Sequence, residues 1–304
     1  MLLKKNIPFK YVFGKIKMEV LLVGLYTGAV TVVYTVFRAD GLSIPLAVPM
    51  IMGTVISLLL AFRSNQAYDR WWEARTVWGA IVNDSRSLAR QINHFVVPAE
   101  DEEQAHFFKV RWIKRQIAWC YSLSRSLRGQ DGLAGLEKYL SRSELHAIKG
   151  FTHSPMALLE QHGADLRKGL ANGLLNSYQQ VEIDRTLSKL SDNMGKCERI
   201  KNTIFPATYS LYIHFSLLFF FLLLPFALID VFGWLTIPVV LAISAAFFLI
   251  EKMAIHLQDP FENKPTDTPM TAICATIERD LKQVINECVQ PVETINLKNP
   301  YYVL

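Results

Sequence analysis

Thr54, Leu58 and Phe62 recur every four residues, with the small side chains of Ser57 and Ala61 beside them. That spacing puts the three on one helix face. Such a face packs against a partner helix. If several copies of the helix stand around an axis, it lines a narrow apolar tube instead. Apolar constrictions gate ions by dewetting and need no charged lining. His214 is the one histidine inside an apolar stretch. Ionisable groups in such places are functional candidates, but a neutral imidazole bonded to a neighbouring helix is the plainer expectation. Glu19 stands near Lys17 at the edge of another apolar stretch, where solvation at an interface is expected. Trp71, Trp72 and Trp78, with Arg70 and Arg75 among them, read as a packed stripe or interfacial belt rather than as contacts to a moving ion, although cation–π pairs are open to them.

Covalent chemistry finds no foothold. The chain has no P-loop, GxGxxG, HExxH or GxSxG, the patterns that cradle phosphates, bind dinucleotides, hold zinc or present a nucleophilic serine. The seven histidines are scattered, and the four cysteines (Cys120, Cys197, Cys274 and Cys288) form no CxxC or Cys/His cluster. No cofactor and no metal is expected.

The elements that carry these residues are membrane spans. Met18–Phe37 holds one formal charge, Glu19, whereas Gly41–Phe62, Ile204–Ile229 and Val231–Ile250 hold none. Each reaches the roughly 20 residues that cross about 30 Å of hydrocarbon as a helix. Across all 304 residues only 19% are charged and 51% are hydrophobic, below the roughly 25% charge of an average soluble protein. Four such stretches exclude a soluble enzyme, a nucleic-acid-binding domain and a secreted module. The lack of short alternating strands excludes a transmembrane barrel.

Charge sets the orientation. The 17 residues before the first span carry five lysines and no acid, and residues 63–203 carry 21 basic against 16 acidic side chains. The connectors Arg38–Asp40 and Asp230 share one basic residue. The positive-inside rule therefore places both termini and the middle region in the cytoplasm. The basic start is not expected to be a cleavable signal, because the apolar run after it is too long and no small-residue cleavage site follows. The cysteines fall in reducing surroundings, so free thiols are expected. The segments are then 1–17, a cytoplasmic N-terminus; 18–62, two spans; 63–203, a helical cytoplasmic region; 204–250, two more spans; and 251–304, a cytoplasmic tail.

Within the second span Pro49 and Gly53 require neighbours that satisfy the freed backbone groups, or a water-filled path. In the middle region Ser64 or Asn65 can cap a helix reaching about His94, with Ala67, Trp71, Ala74, Trp78, Ile81 and Ser85 as its buried stripe. A helix over Glu103–Arg125 would bury Phe107, Val110, Ile113, Ile117 and Tyr121. Shorter helices fit Ser141–Lys149 and Met156–Gln161, and a longer one Gln179–Lys201. The glycine-rich Arg128–Gly135 is a loop. Thr268 caps a tail helix reaching about Val289.

The string Phe62-Arg-Ser-Asn-Gln-Ala-Tyr-Asp-Arg-Trp-Trp-Glu-Ala-Arg75, followed by Trp78-Gly79, resembles the segment after the second helix of bestrophins, especially the bacterial branch. Lys196-Cys-Glu-Arg199, Leu224-Pro-Phe-Ala-Leu228, Asp259-Pro-Phe261 and Cys274-Ala-Thr-Ile-Glu-Arg279 agree in order and spacing. Together the strings cover most of the chain. The resemblance implies an all-α integral membrane protein with four transmembrane helices and a helical cytoplasmic region. It implies a homopentameric ion channel of a bacterial inner membrane, with one central pore and a wide vestibule. By position the pore neck falls on Thr54, Leu58 and Phe62, and a cytoplasmic constriction on Tyr178. Family necks are usually three bulky apolar rings, so Thr54 implies a wider, wetter ring. Eukaryotic members bind calcium after the Asn/Asp-Pro-Phe string. Here that run is Glu262-Asn-Lys-Pro-Thr-Asp267, interrupted by Lys264 and Pro265 and poor in the six to eight oxygens that calcium takes.

The expectation is a passive channel for small inorganic ions, with the family favouring anions such as chloride over cations such as sodium. A secondary transporter competes, but it would need a midplane site in two related halves. A membrane-anchored enzyme competes too, with no nucleophile–base pattern behind it.

Overall fold

A computed structural model describes residues 13–37, 43–98, 102–203 and 207–287. Lys4, Lys5 and Lys10, the Arg38–Asp40 connector with Gly41, Ile204, Cys288 and Val289 lie outside the described residues. Among the described residues regular structure is helical throughout. The helices are α1 (Lys17–Phe37), α2 (Ala47–Phe95), α3 (Glu102–Leu127), α4 (Arg142–Ile148), α5 (Ser154–Ala171), α6 (Ser177–Asn202), α7 (Ala207–Phe232), α8 (Thr236–Gln258) and α9 (Met270–Val284). Among the described residues three stretches are long and apolar enough to cross a bilayer: Lys17–Phe37, Ala47–Phe95 and Thr208–Gln258. The last contains α7 and α8, joined through the 3-10 turn Gly233–Leu235, where Gly233 takes a left-handed φ of 52°.

The chain forms two compact units. Among the described residues, one gathers 13–71 with 207–259, and the other gathers 72–203 with 260–287. Both long helices run on past the hydropathy limits at 62/63 and 250/251. The reason is visible along α2. No cap forms at Ser64 or Asn65, and the helix runs unbroken for 49 residues. Ile56, Leu60, Arg63 and Ala67 continue one buried stripe, so packing favours helix where a cap would need non-helical backbone. Likewise α8 runs on to Gln258 because Val240, Ser244, Phe248, Glu251 and Ala254 form a single buried row.

In the apolar unit, Ile56 and Leu60 of α2 share a core with Phe220 and Phe221 of α7 and Phe248 of α8. The Phe221 and Phe248 rings lie 5.1 Å apart. Two glycines allow close helix contact, as small residues do in membranes. A Cβ at Gly24 would come within 2.9 Å of Leu241, and one at Gly53 within 3.4 Å of the Phe220 ring.

In the polar unit, Trp78, Trp112 and Trp119 are fully buried. The face of α3 is rotated from the expected one: Phe108 and Trp112 turn inward with Ile113 and Ile117, while Phe107 is exposed. A buried guanidinium organises this part. Arg115 donates to Glu144 at 2.6 Å, to Asp165 at 2.8 Å and to the Gln161 carbonyl at 3.1 Å. Glu144 also closes the capping box that starts α4 at Ser141. Burial raises the Glu144 carboxyl, but the Ser141 amide and Arg115 outweigh it and hold it below the usual carboxylate range. The tail helix α9 starts from Pro269 without a side-chain cap. Thr268, expected to cap it, is buried and instead gives its backbone N–H to the Pro260 carbonyl at 3.1 Å.

Candidate permeation site

The second half of the first apolar hairpin presents two unlike faces. Ile56, Leu60 and Arg63 are each at most 2% exposed. On the other side Leu58 is 57% and Phe62 56% exposed, and Thr54 is exposed with them. The Thr54 hydroxyl donates to the Met50 carbonyl at 2.9 Å, so its backbone-facing proton is satisfied within its own helix. Among the described residues, more than half of Leu58 and of Phe62 is left uncovered. Pro49 and Gly53 do not interrupt α2. They line, with Thr54 and Ser57, a shallow groove closed by Phe220 and Phe247.

Tyr178 lies in the polar unit and is 87% exposed. It sits in the first turn of α6. Asn176 accepts from the Gln179 amide at 2.9 Å, and Gln179 returns the bond to the Asn176 amide at 2.9 Å. This capping box fixes the helix start, and no acidic residue stands in that first turn.

Of the expected aromatic stripe, Trp78 is core, Trp72 is exposed, and Trp71 lies between, its ring 5.9 Å from Tyr68. Arg70 is 3.8 Å from Asp259. Glu19 is not left to solvent but pairs with Lys252 of α8 at 2.7 Å. His214 stands 3.0 Å from Glu251 of the neighbouring α8, as a histidine bonded across helices should. Its partner was hidden in the sequence because the apolar run ends at Ile250. Arg63 and Glu251 are the charged residues that hydropathy alone misses. The signal that finds them is periodicity: Ile56, Leu60, Arg63 and Ser244, Phe248, Glu251 each keep the 3–4 spacing of a buried row.

In the tail loop, Asn263 takes a left-handed φ of 66°. The Lys264 amide donates to the Asp267 carboxylate at 2.9 Å, and the Lys264 ammonium pairs with Glu262. Burial pushes the Asp267 carboxyl up. Among the described residues no group of three or more His, Cys, Asp or Glu side chains is placed to hold a metal ion. Cys120, Cys197 and Cys274 are free and buried. Burial pushes the thiols of Cys120 and Cys197 up to about 12, which removes the reactive thiolate.

A family profile described as Bacterial/Fungal Bestrophin protein matches residues 9–283. A voltage-dependent anion channel-forming protein of Nostoc sp. is 36% identical over 277 residues, 89% of this chain and 87% of the relative. A voltage-dependent anion channel-forming protein of Escherichia coli (strain K12) is 30% identical over 284 residues, 93% of this chain and 91% of the relative. The crystal structure of a bacterial bestrophin homolog from Klebsiella pneumoniae superimposes with a TM-score of 0.84 at 29% identity, covering 90% of this chain and 100% of that one.

Proposed function

The chain belongs to the bacterial and fungal bestrophin family, and on that premise we propose that it is a pentameric channel whose neck is lined by Thr54, Leu58 and Phe62. The observation that carries this reading is the split of α2 into a buried face and an apolar face that the described residues of its own chain leave more than half open. In a ring of identical subunits the open face meets the axis, and repeated head-to-tail contacts close such a ring. Leu58 and Phe62 form the tight rings, roughly 6 Å apart along the helix. Thr54 forms a wetter ring above them. Tyr178 forms the cytoplasmic constriction.

The permeating ion is an anion such as chloride. The relatives' names point to anions. The start of α6, with its positive dipole end and no carboxylate in its first turn, favours anions beside Tyr178. The protein resides in the bacterial inner membrane, with four spans and both termini in the cytoplasm. The segments 1–17, 63–203 and 251–304 are cytoplasmic, and 18–62 and 204–250 are membrane-embedded. The test joins native mass spectrometry in mild detergent to planar-bilayer recording under a chloride gradient. A pentamer with unitary currents reversing toward the chloride potential is expected. Monomers without currents would overturn the pore, and reversal toward the sodium potential would overturn the anion assignment.

A further inference from the structure

The polar unit holds a groove between two of its own helices that the channel reading does not use. Asp84, Ser87 and Gln91 stand three to four residues apart on α2, and Glu182, Thr186 and Lys189 repeat that spacing on α6. Each set therefore forms a stripe along one helix face. The stripes meet across a groove of about 440 Å³, which Arg90 and Arg185 also line. Small-molecule sites start at roughly 300 Å³, so a phosphate with a small organic substituent fits. Buried polar groups hold the floor in place. Thr186 and Gln91 are 5% and 7% exposed. The Thr186 hydroxyl donates to Gln91 Oε1 at 2.9 Å, and Gln91 Nε2 reaches the Glu182 carbonyl at 3.4 Å. That uses one amide hydrogen and leaves the other to donate.

Three cations and two carboxylates line this groove, and both carboxylates are already engaged. Glu182 accepts from Arg185 Nη1 at 2.5 Å. Asp84 accepts from the Asn193 amide at 2.9 Å. Lys189 lies within electrostatic reach of Asp84, but among the described residues no carboxylate closes an ion pair with Lys189 or Arg90. Arg185 keeps further N–H donors beyond the one on Glu182. Arg185 and Lys189 also stand four residues apart on α6, a spacing at which like charges repel. An anion with several oxygens satisfies such a set. A guanidinium fork matches two phosphate oxygens at once, and a lysine acts on them as a point charge. The Ser87 hydroxyl and the Gln91 amide add neutral donors. A halide presents one centre and gains nothing from the fork.

We infer that the groove between α2 and α6 is a binding site for a phosphate group, free or carried on a small ester or a lipid headgroup, with Arg90, Arg185 and Lys189 as its cationic ligands. The site lies within the polar unit and does not depend on the pore proposed above.

The experiment titrates the full-length protein, in a maltoside detergent free of phosphate, with inorganic phosphate and with glycerol phosphate, and follows the phosphorus NMR line of each probe. Saturable broadening is expected for both. Arg90→Gln and Lys189→Gln should each weaken binding about tenfold, the loss of one charge-assisted hydrogen bond. Asp84→Asn removes a negative charge from the groove while keeping an acceptor for Asn193, and should tighten binding. Damage to the fold does not produce these opposite signs, and melting temperatures of the same variants check it. Arg167→Gln, exposed on α5 and outside the groove, should leave affinity unchanged. Exchanging gluconate for chloride at constant ionic strength should change phosphate affinity little. Repeating the titration in phosphatidylglycerol nanodiscs separates the two sources. Binding that persists there marks a soluble phosphate as the ligand, and binding seen only in detergent marks a lipid headgroup filling the groove. No saturable broadening in detergent, affinity that Arg90→Gln and Lys189→Gln leave unchanged, or displacement of phosphate by chloride at equal concentration would overturn the inference.

Discussion

Replacing Leu58 and Phe62 by alanine separates a pore lining from a packing face, because the two roles predict opposite balances of stability and current. A buried Phe→Ala costs about 3–5 kcal/mol and a buried Leu→Ala about 2–5 kcal/mol. More than half of Leu58 and of Phe62 is uncovered within the chain. The intrachain loss for each should therefore be about half those values, roughly 1–2.5 kcal/mol. Leu60 supplies an internal control: it lies on the same helix, 1% exposed and packed in the aromatic core, so Leu60→Ala should cost the full amount, about 2–5 kcal/mol. Current should move the other way. A narrow apolar ring offers water no hydrogen-bond partner and dries. Shortening both rings should wet the neck and raise conductance or open probability several-fold, and Leu60→Ala should not. Thr54→Ala should change little, since the hydroxyl already tolerates water. Single-channel recording and thermal melting of the assembled protein on the same four variants give the answer. Phe62→Ala melting as low as Leu60→Ala with unchanged current would refute the neck.

Other outcomes follow from the cytoplasmic core and the tail. His162 is fully buried against Trp112, ring centroids 4.4 Å apart, and burial, then Arg115 and Arg111, hold its pKa well below the ordinary value. The folded state therefore resists protonation while the unfolded chain does not. Stability is full above about pH 6.5 and falls as pH drops from there toward the folded value, by up to about 1.4 kcal/mol per unit; His162→Leu should flatten the melting profile between pH 7 and 5. Arg115→Met removes the buried guanidinium that joins Glu144 to Asp165, leaving Asp165 to Arg111 at 2.9 Å and Glu144 to Ser141; it should cost about 3–5 kcal/mol by chemical denaturation, with Arg115→Met combined with Asp165→Asn and Glu144→Gln recovering part of it. Because Lys264 occupies Glu262 in the tail loop, currents should be indifferent to chelator and to micromolar calcium on the cytoplasmic face, and a steep calcium response would show that backbone carbonyls complete a site.

The sequence by itself determined where the apolar helices lie. Local hydropathy is additive along a chain, so Met18–Phe37 and the stretches near 204–250 stand out without any partner. It also determined that Thr54, Leu58 and Phe62 share a face, since the helical repeat alone fixes that. The capping boxes at Ser141–Glu144 and Asn176–Gln179 join partners three residues apart, and the second starts its helix ahead of the Gln179 at which the sequence pattern begins it. What tertiary structure decided is everything that depends on distant partners. Ser64 and Asn65 carry good capping side chains, yet α2 continues because Arg63 and Ala67 meet a buried surface there. Phe107 and Phe108 are equally apolar neighbours, and only the packing of α3 buries the second of them. Glu251 reads in sequence as the first polar residue after a span. Three helices contribute to the cluster around it, and no one-dimensional window contains Arg63, His214 and Glu251 together. A charge is stable at such a buried position only with its counter-charge in place, and that placement is a property of the folded bundle.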